Sequence, residues 1–170
     1  QVPVTTDYVS LKQFLDGIQP GMVPVQGTAI GAAIRLAASS FDPESGLKKA
    51  IVIITDGENH EDDAIEAARE AAEKGITVFV IGVGTPSGAP IPLPGSDQQN
   101  FLKDKSGQVV VTRLDEALLN QIAAAGNGTY IRATSLRFGL EEIIAKIDEM
   151  DRKEYKAQMY SEYDDQFMYP

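Results

Sequence analysis

The chain of 170 residues contains no cysteine. This absence excludes disulfide bonds, metal sites built from thiolates and a cysteine nucleophile. Long apolar runs are also lacking, because none approaches the roughly 20 residues of a membrane-spanning helix. No charged-then-apolar signal segment stands at the start. The opening residues Gln1-Val2-Pro3-Val4 look like the middle of a strand, so we expect the chain to be a piece of a longer protein.

Basic residues are scarce. Lys and Arg number 15 against 25 Asp and Glu, which gives a formal net charge of −10. Proteins that bind nucleic acid or anionic membranes need clustered Lys and Arg. We therefore expect no nucleic-acid partner and consider cations and basic surfaces better candidates. The composition, 43% hydrophobic and 24% charged, is typical of a soluble globular domain that forms a core without crosslinks.

Strands and helices alternate along the first 150 residues. Two continuous apolar runs, Lys49–Thr55 and Ile76–Val83, predict strands buried on both faces, as in parallel sheets. Amphipathic periodicity and helix-end signals predict the other elements: helices over 7–17, 28–38, 61–74, 114–125 and 140–150, and a short strand over 128–132. The pattern predicts an α/β fold with a doubly wound, mostly parallel sheet covered by helices, joined by right-handed crossovers.

Two segments carry further predictions. Asp7 is the expected cap of the first helix, whose apolar spacing predicts a buried stripe; its members are Leu11, Phe14, Leu15 and Ile18. Residues 84–108 are rich in Gly and Pro and too long for a tight connection, so they form an ordered excursion or a mobile loop. Within them, residues 105–107 predict a hairpin turn.

Two polar residues stand where a parallel sheet binds ligands, beyond the carboxyl ends of its strands. Asp56 follows the first buried strand, and Thr28 opens the preceding helix. A carboxylate and a hydroxyl suit a hard cation such as Mg²⁺, Mn²⁺ or Ca²⁺. Alternatively, Thr28 is a helix cap and Asp56 an ordinary turn residue. From these two residues alone, both interpretations stand.

A wider set of residues resembles the von Willebrand factor A family. The segments that carry the resemblance, in order and spacing, are Gln26-Gly-Thr-Ala-Ile-Gly31, Ile51-Val-Ile-Ile-Thr-Asp-Gly-Glu-Asn59, Ile76-Thr-Val-Phe-Val-Ile-Gly-Val83 and Ile122-Ala-Ala-Ala-Gly-Asn-Gly-Thr-Tyr130. The resemblance implies a Rossmann-like fold and a protein–protein interaction module rather than an enzyme. It also implies a metal-ion-dependent adhesion site with Thr28 and Asp56 as ligands of Mg²⁺ or Mn²⁺, with Ca²⁺ as an alternative. An acidic side chain of the partner would take the open coordination position.

Within the family, Glu58-Asn59-His60 looks most like the bacterial Bacteroides aerotolerance (Bat, BatB-like) group. That resemblance implies a parent protein anchored in the bacterial inner membrane, with a periplasmic domain and partners among membrane-associated proteins of the same system. We expect this 170-residue piece to be soluble. Residues 1–150 would be a partial von Willebrand factor A domain, and residues 151–170 an acidic, Tyr-rich tail leading toward a membrane segment. The tail tyrosines could instead bind a partner.

The chain departs from the family in one respect. The family's first motif, Asp-x-Ser-x-Ser, is not found, and Asp7-Tyr-Val-Ser10 has the wrong spacing. We therefore expect an N-terminally truncated fold without its central first strand, and a site at Thr28 and Asp56 that binds metal weakly or not at all. In the family that strand lies beside residues 51–55. Its loss would expose an apolar edge, so we expect association, with residues 1–5 or a neighbour's strand filling the gap.

An enzyme is the alternative function. Asp56 could act as the nucleophile of metal-dependent phosphoryl transfer. Such a site needs a second acid and a basic residue near the phosphate. Thr28 is no second acid, and Lys103 and Lys105 could approach only by folding back.

His60 and the glycines of residues 82–88 could suggest functional sites, but each has a simpler structural explanation. His60 precedes the acids of residues 61–63, which favour the positive end of a helix, so we interpret it as a solvated loop residue rather than a metal ligand or general base. The glycines of residues 82–88 follow a strand, as in dinucleotide-binding loops. Prolines at 86, 90, 92 and 94 disfavour the helix that such a loop requires, so we expect no nucleotide there.

Overall fold

The computed structural model describes residues 5–18, 22, 29–57, 63–91, 101–104, 106–134 and 137–150. Within these ranges the structure has five helices and five strands. The helices are α1 (Tyr8–Asp16), α2 (Ile30–Ala38), α3 (Ala64–Glu73), α4 (Glu116–Ala125) and α5 (140–150). The strands are β1 (Lys49–Thr55), β2 (Ile76–Gly82), β3 (Ala89–Pro90), β4 (Val111–Thr112) and β5 (Tyr130–Arg132).

The main sheet has the order β1-β2-β5, and both pairings are parallel. Lys49 is opposite Ile76 at the start of the β1–β2 ladder, and Thr55 is opposite Gly82 at its end. All three carboxyl ends therefore meet at one edge of the sheet. The predicted α/β class with a parallel sheet is confirmed, and helices pack on both faces.

Strand β2 forms the centre of the core because its side chains alternate between two buried layers. Val78 and Val80 pack with residues of α2, α3 and α4 on one face. Phe79 and Ile81 pack with Ile143 of α5 on the other. This alternation is the period of two that a strand imposes on its side chains. The prediction that this strand is buried on both faces is confirmed.

The same prediction for β1 is wrong. Ile51 is buried, but Val52 is 36% exposed and Ile54 is 56% exposed. Among the described residues β1 pairs only with β2, so it is an edge strand. On the α5 face the buried cluster includes Ala50 of β1 but neither exposed residue. A continuous apolar run is typical of a strand buried on both faces. Among the described residues, Ile51 and Ile53 pack in the larger core cluster on one face, and on the α5 face only Ala50 of β1 is packed.

Helix α1 confirms its predicted cap but not its predicted burial. The Asp7 side chain accepts hydrogen bonds from the backbone N–H groups of Val9 and Ser10, at 3.2 and 3.1 Å. Leu11 is half-buried, and the other three members of the predicted stripe are exposed: Phe14, Leu15 and Ile18. In the described part of the chain, the cap and the backbone hydrogen bonds therefore stabilise this helix, and burial of its apolar residues contributes little.

The connection from α4 to β5 passes directly against β2. A Cβ atom on Gly128 would lie 2.0 Å from the carbonyl oxygen of Val78, and one on Gly126 would lie 2.4 Å from the Val78 Cβ. The Val78 N–H donates to the Gly126 carbonyl at 2.9 Å, and the Val80 N–H donates to that of Thr129 at 3.1 Å. Glycine at both positions therefore lets β5 join the sheet.

The described parts of the 84–108 segment form an ordered excursion. Strand β3 pairs antiparallel with β4, and Lys103 forms an antiparallel bridge with Val109. The predicted hairpin turn is present, since the Asp104 carboxylate accepts from the backbone N–H groups of Ser106 and Gln108 at 2.8 and 2.9 Å. Residues 83–91 form turns and β3 rather than a helix, as the prolines of this segment predicted.

Helix α3 (Ala64–Glu73) is capped by Asp63, and the chain turns at Gly75 with φ of +73°. The predicted start at residue 61 lies outside the described residues. Several predictions fall outside the described residues: the opening strand 2–4, the His60 loop and the tail 151–170. None of the helices that the structure describes is long and apolar enough to cross a membrane.

Candidate functional site

Asp56 directly follows β1 at the carboxyl edge of the sheet, and it is partly buried. The Thr55 carbonyl accepts a hydrogen bond of 2.8 Å from the N–H of Val83, which extends the β1–β2 pairing to the end of the strand. The backbone before Asp56 is therefore held by the sheet. Parallel α/β sheets bind ligands at this edge.

A hydrogen bond and close packing also fix the turn after Asp56. Gly57 has φ of +86°, a conformation that favours glycine. Its N–H donates to Thr55 Oγ1 at 3.1 Å. A Cβ atom on Gly57 would lie 3.1 Å from the backbone nitrogen of Asp115, so the turn packs against the start of α4. Asp56 thus lies between two fixed backbone segments, which suits a preorganised ligand.

A polar cluster joins α4 to β5 near this turn. The Tyr130 hydroxyl donates to Glu116 Oε1 at 2.9 Å, and Arg132 Nη1 lies 3.6 Å from the same oxygen. Burial raises the pKa of Tyr130, and the hydrogen bond to the Glu116 carboxylate raises it further. The sequence analysis missed this cluster, because Tyr130 and Glu116 are 14 residues apart and carry no motif. It positions the first turn of α4 against the sheet.

Asp115 has a structural task. Its carboxylate caps α4 by accepting from the Leu118 N–H at 2.9 Å. We therefore assign it no ligand role, although its backbone touches the Asp56–Gly57 turn.

A metal ion fits the chemistry of this edge but not the number of described ligands. A carboxylate at a fixed strand end is a typical ligand of Mg²⁺ or Mn²⁺. Thr28, the other predicted ligand, lies outside the described residues; the N-cap position of α2 belongs to Ala29, whose side chain cannot accept a hydrogen bond. Within the described ranges, no three His, Asp or Glu side chains form a group that could hold a metal ion. The described residues alone therefore do not complete a metal site.

A cavity of about 570 Å³ lies at the same edge, where β2 and β5 end. Its walls are mainly apolar, and Arg132 is the charged residue among its lining residues. The lining residues are Val83, Gly84, Thr85, Pro86, Arg132, Ala133, Thr134 and Phe138. The sequence analysis did not find this cavity, because its walls come from two loops separated by about 45 residues of chain.

Phosphoryl transfer at Asp56 would need a basic residue near the phosphate, and the described residues do not show one of the two candidate lysines in that position. Lys103 is an exposed residue of the hairpin, where it pairs with Val109. Lys105 lies outside the described residues.

The described strands and helices define an α/β domain with a parallel main sheet. Residues 1–146 match the model of the von Willebrand factor type A domain, and the chain belongs to this family. It is similar to an aerotolerance-related membrane protein of Bacteroides fragilis, solved with multiple mutations to serine, with a TM-score of 0.80 and 51% identity. It is also similar to BatB of Bacteroides thetaiotaomicron, with a TM-score of 0.78 and 49% identity. Each match covers 88% of this chain and 73% of the other chain. The predicted resemblance to Bat proteins is confirmed.

Curated relatives match over shorter stretches. The human collagen alpha-5(VI) chain is 38% identical over 64 residues, which is 34% of this chain. The mouse collagen alpha-5(VI) chain is 49% identical over 39 residues, or 22% of this chain. The matched residues span only 2% of either collagen chain. Von Willebrand factor type A domains generally mediate protein–protein interactions.

Proposed function

We propose that this domain binds an acidic side chain of a protein partner through a divalent cation, Mg²⁺ or Mn²⁺, held by Thr28 and Asp56. The observation that carries the proposal is the position of Asp56, which follows β1 at the carboxyl edge of a parallel sheet in a turn fixed by Gly57. Family membership supports it, since domains of this family often bind divalent metals.

The charge of the chain explains why a cation would be needed. At a net charge of −10, the domain repels an approaching carboxylate, and Asp56 does so most directly. A divalent cation reverses the sign of the local charge and offers an open coordination position. Mg²⁺ suits this role because it keeps several waters and needs few protein ligands. Partner binding should therefore require the cation and weaken when a chelator removes it.

We expect the metal site to be incomplete in this chain. The 170 residues contain no Asp-x-Ser-x-Ser segment, which supplies three ligands in the family that the sequence resembles. With two ligands left, we expect cation binding at millimolar concentration or weaker, the weak end of the range of about 10⁻⁹ to 10⁻³ M that EF-hand sites span for Ca²⁺. Longer proteins of the same group would complete the site.

The setting of the domain is part of the proposal. The Bacteroides fragilis protein with 51% identity is an aerotolerance-related membrane protein. We propose that the parent of this chain is likewise anchored in the bacterial inner membrane, with the domain in the periplasm. Its partners would then be other membrane-associated proteins of the same system.

The test is to locate bound Mn²⁺ by its paramagnetic broadening of backbone amide signals in an NMR titration. We expect broadening centred on residues 55–57, lost in Asp56→Asn. The matched control is Asp148→Asn, an exposed carboxylate on α5, which should leave the broadening unchanged. Broadening spread over the acidic surface and insensitive to Asp56→Asn would contradict the proposal.

A further inference from the structure

The cavity at the ends of β2 and β5 lies in the same row of strand ends as Asp56. The Val83 N–H donates to the Thr55 carbonyl at 2.8 Å, and the Ala133 N–H donates to the Gly82 carbonyl at 2.8 Å. Thr55 and Gly82 are partners in the last step of the β1–β2 ladder. Asp56, Val83 and Ala133 are therefore the next residues on three neighbouring strands. Val83 and Ala133 line the cavity. Because neighbouring strands lie about 4.8 Å apart, the cavity wall extends from about 5 to about 10 Å from Asp56.

The walls of this cavity are mainly apolar. It lies on the side of β2 that faces β5, away from the outer edge of β1. Two of its lining residues, Val83 and Phe138, are 41% and 47% exposed. Its volume of about 570 Å³ is within the usual range of ligand pockets, about 300–1,000 Å³. Arg132 is the charged lining residue, and its Nη1 atom lies 3.6 Å from Glu116 Oε1. Because that charge already has a partner, the cavity favours an uncharged, apolar group.

We propose that this cavity holds an aromatic side chain of the same protein partner whose acidic side chain binds at Asp56. An aromatic ring is favoured over an aliphatic group because Phe138 in the cavity wall provides a second ring to pack against. Aromatic residues that enter pockets also supply much of the binding energy of protein interfaces. The acidic residue in this proposal rests on the proposed function, whereas the aromatic site does not depend on a cation.

The distance between Asp56 and the cavity sets the spacing of the two partner residues. In an extended segment, side chains two positions apart point to the same side, and adjacent side chains point to opposite sides. Two residues of extended chain span about 7 Å. This span falls inside the range of about 5 to about 10 Å that separates Asp56 from the cavity wall. The partner's aromatic residue therefore lies two positions before or after its acidic residue.

The aromatic site is tested in EDTA, by an NMR titration of the whole chain with N-acetylphenylalanine amide. We expect amide shifts centred on Val83, Gly84 and Ala133, with a dissociation constant of about 1 mM, as ordinary ligand efficiency gives for a probe of this size. Phe138→Ala should weaken binding about threefold or more through loss of the ring contact. The matched control is Phe14→Ala, an exposed phenylalanine of α1, which should have no effect. Shifts spread over the surface, or equal weakening by both variants, would overturn the inference. So would binding that weakens as protein concentration rises, because a second copy would then fill the cavity.

The spacing is tested with two peptides of identical composition and charge, titrated in Mg²⁺ and again in EDTA. Acetyl-Phe-Ser-Asp-Ser-Phe-amide has aromatic residues two positions from the acid on both sides, and acetyl-Ser-Phe-Asp-Phe-Ser-amide has them adjacent to it. We expect Mg²⁺ to tighten binding of the first peptide more than that of the second. Equal tightening of both peptides would overturn the spacing while leaving the metal site in place. If Mg²⁺ tightens neither, the proposed function fails and the spacing with it, whereas an aromatic site found in EDTA still stands.

Discussion

Replacing Gly128 by alanine should destabilise the domain more than any other glycine-to-alanine change compared below. The added Cβ atom would lie 2.0 Å from the Val78 carbonyl oxygen and 2.7 Å from its carbonyl carbon. Both are backbone atoms of the central strand, so no side-chain rotation relieves the clash. Strand β5 would have to move away from β2.

The cost follows from the contacts that this movement disturbs. Forcing an extra methyl group into a packed site costs about 1–3 kcal/mol. The displacement also weakens the hydrogen bonds from Val78 to Gly126 and from Val80 to Thr129, worth about 1 kcal/mol each. We expect a loss of about 3 kcal/mol or more in the free energy of unfolding. That is a large part of the 5–15 kcal/mol typical of a domain.

Two other glycines calibrate the measurement by urea denaturation. At Gly46 a Cβ atom meets nothing within 4 Å, so Gly46→Ala should change stability by less than about 0.5 kcal/mol. Gly75 also has open space but a φ of +73°, so Gly75→Ala should cost about 1–2 kcal/mol from backbone strain alone. The reasoning is refuted if Gly128→Ala costs less than Gly75→Ala.

Three further predictions concern side chains. Tyr130→Phe should lower the free energy of unfolding by about 1 kcal/mol in urea, because it removes the hydrogen bond to Glu116; no change would show that this bond contributes nothing. The Arg35 guanidinium holds the pKa of Glu70 below its ordinary value, so Arg35→Ala should raise that pKa in an NMR titration. The ion pair contributes stability that is lost as pH falls through the lowered pKa, and the variant should lack this part of the acid dependence. Incubation with acetyl phosphate should leave Asp56 unmodified by mass spectrometry, whereas a phosphorylated Asp56 would revive the enzyme alternative.

Local patterns predicted the elements that carry their own signals. The apolar run of β2 and the amphipathic pattern of α3 each indicated a type of element, and the predicted ends lie within a few residues of those observed. Asp56 was predicted at a strand end because a turn follows a buried run, and the structure has it there.

Burial was predicted less well, because it depends on neighbours that no local pattern reveals. Ile54 of β1 and Phe14 of α1 are as apolar as residues of the core, yet both are exposed. The Gly128 contact with Val78 joins residues 50 positions apart, so the sequence indicated a glycine-rich turn but not the close approach that requires it. The Tyr130–Glu116 hydrogen bond was missed for the same reason.

The most direct test of the central claim is a calorimetric titration of Mg²⁺ and Mn²⁺ into this chain and into Asp56→Ala. The account predicts a dissociation constant of about 1 mM or weaker for the chain, and no residual binding in the variant. Micromolar binding that Asp56→Ala abolishes would mean that other residues of these 170 complete the site. Binding that survives Asp56→Ala would place the cation elsewhere, and either result would contradict the account.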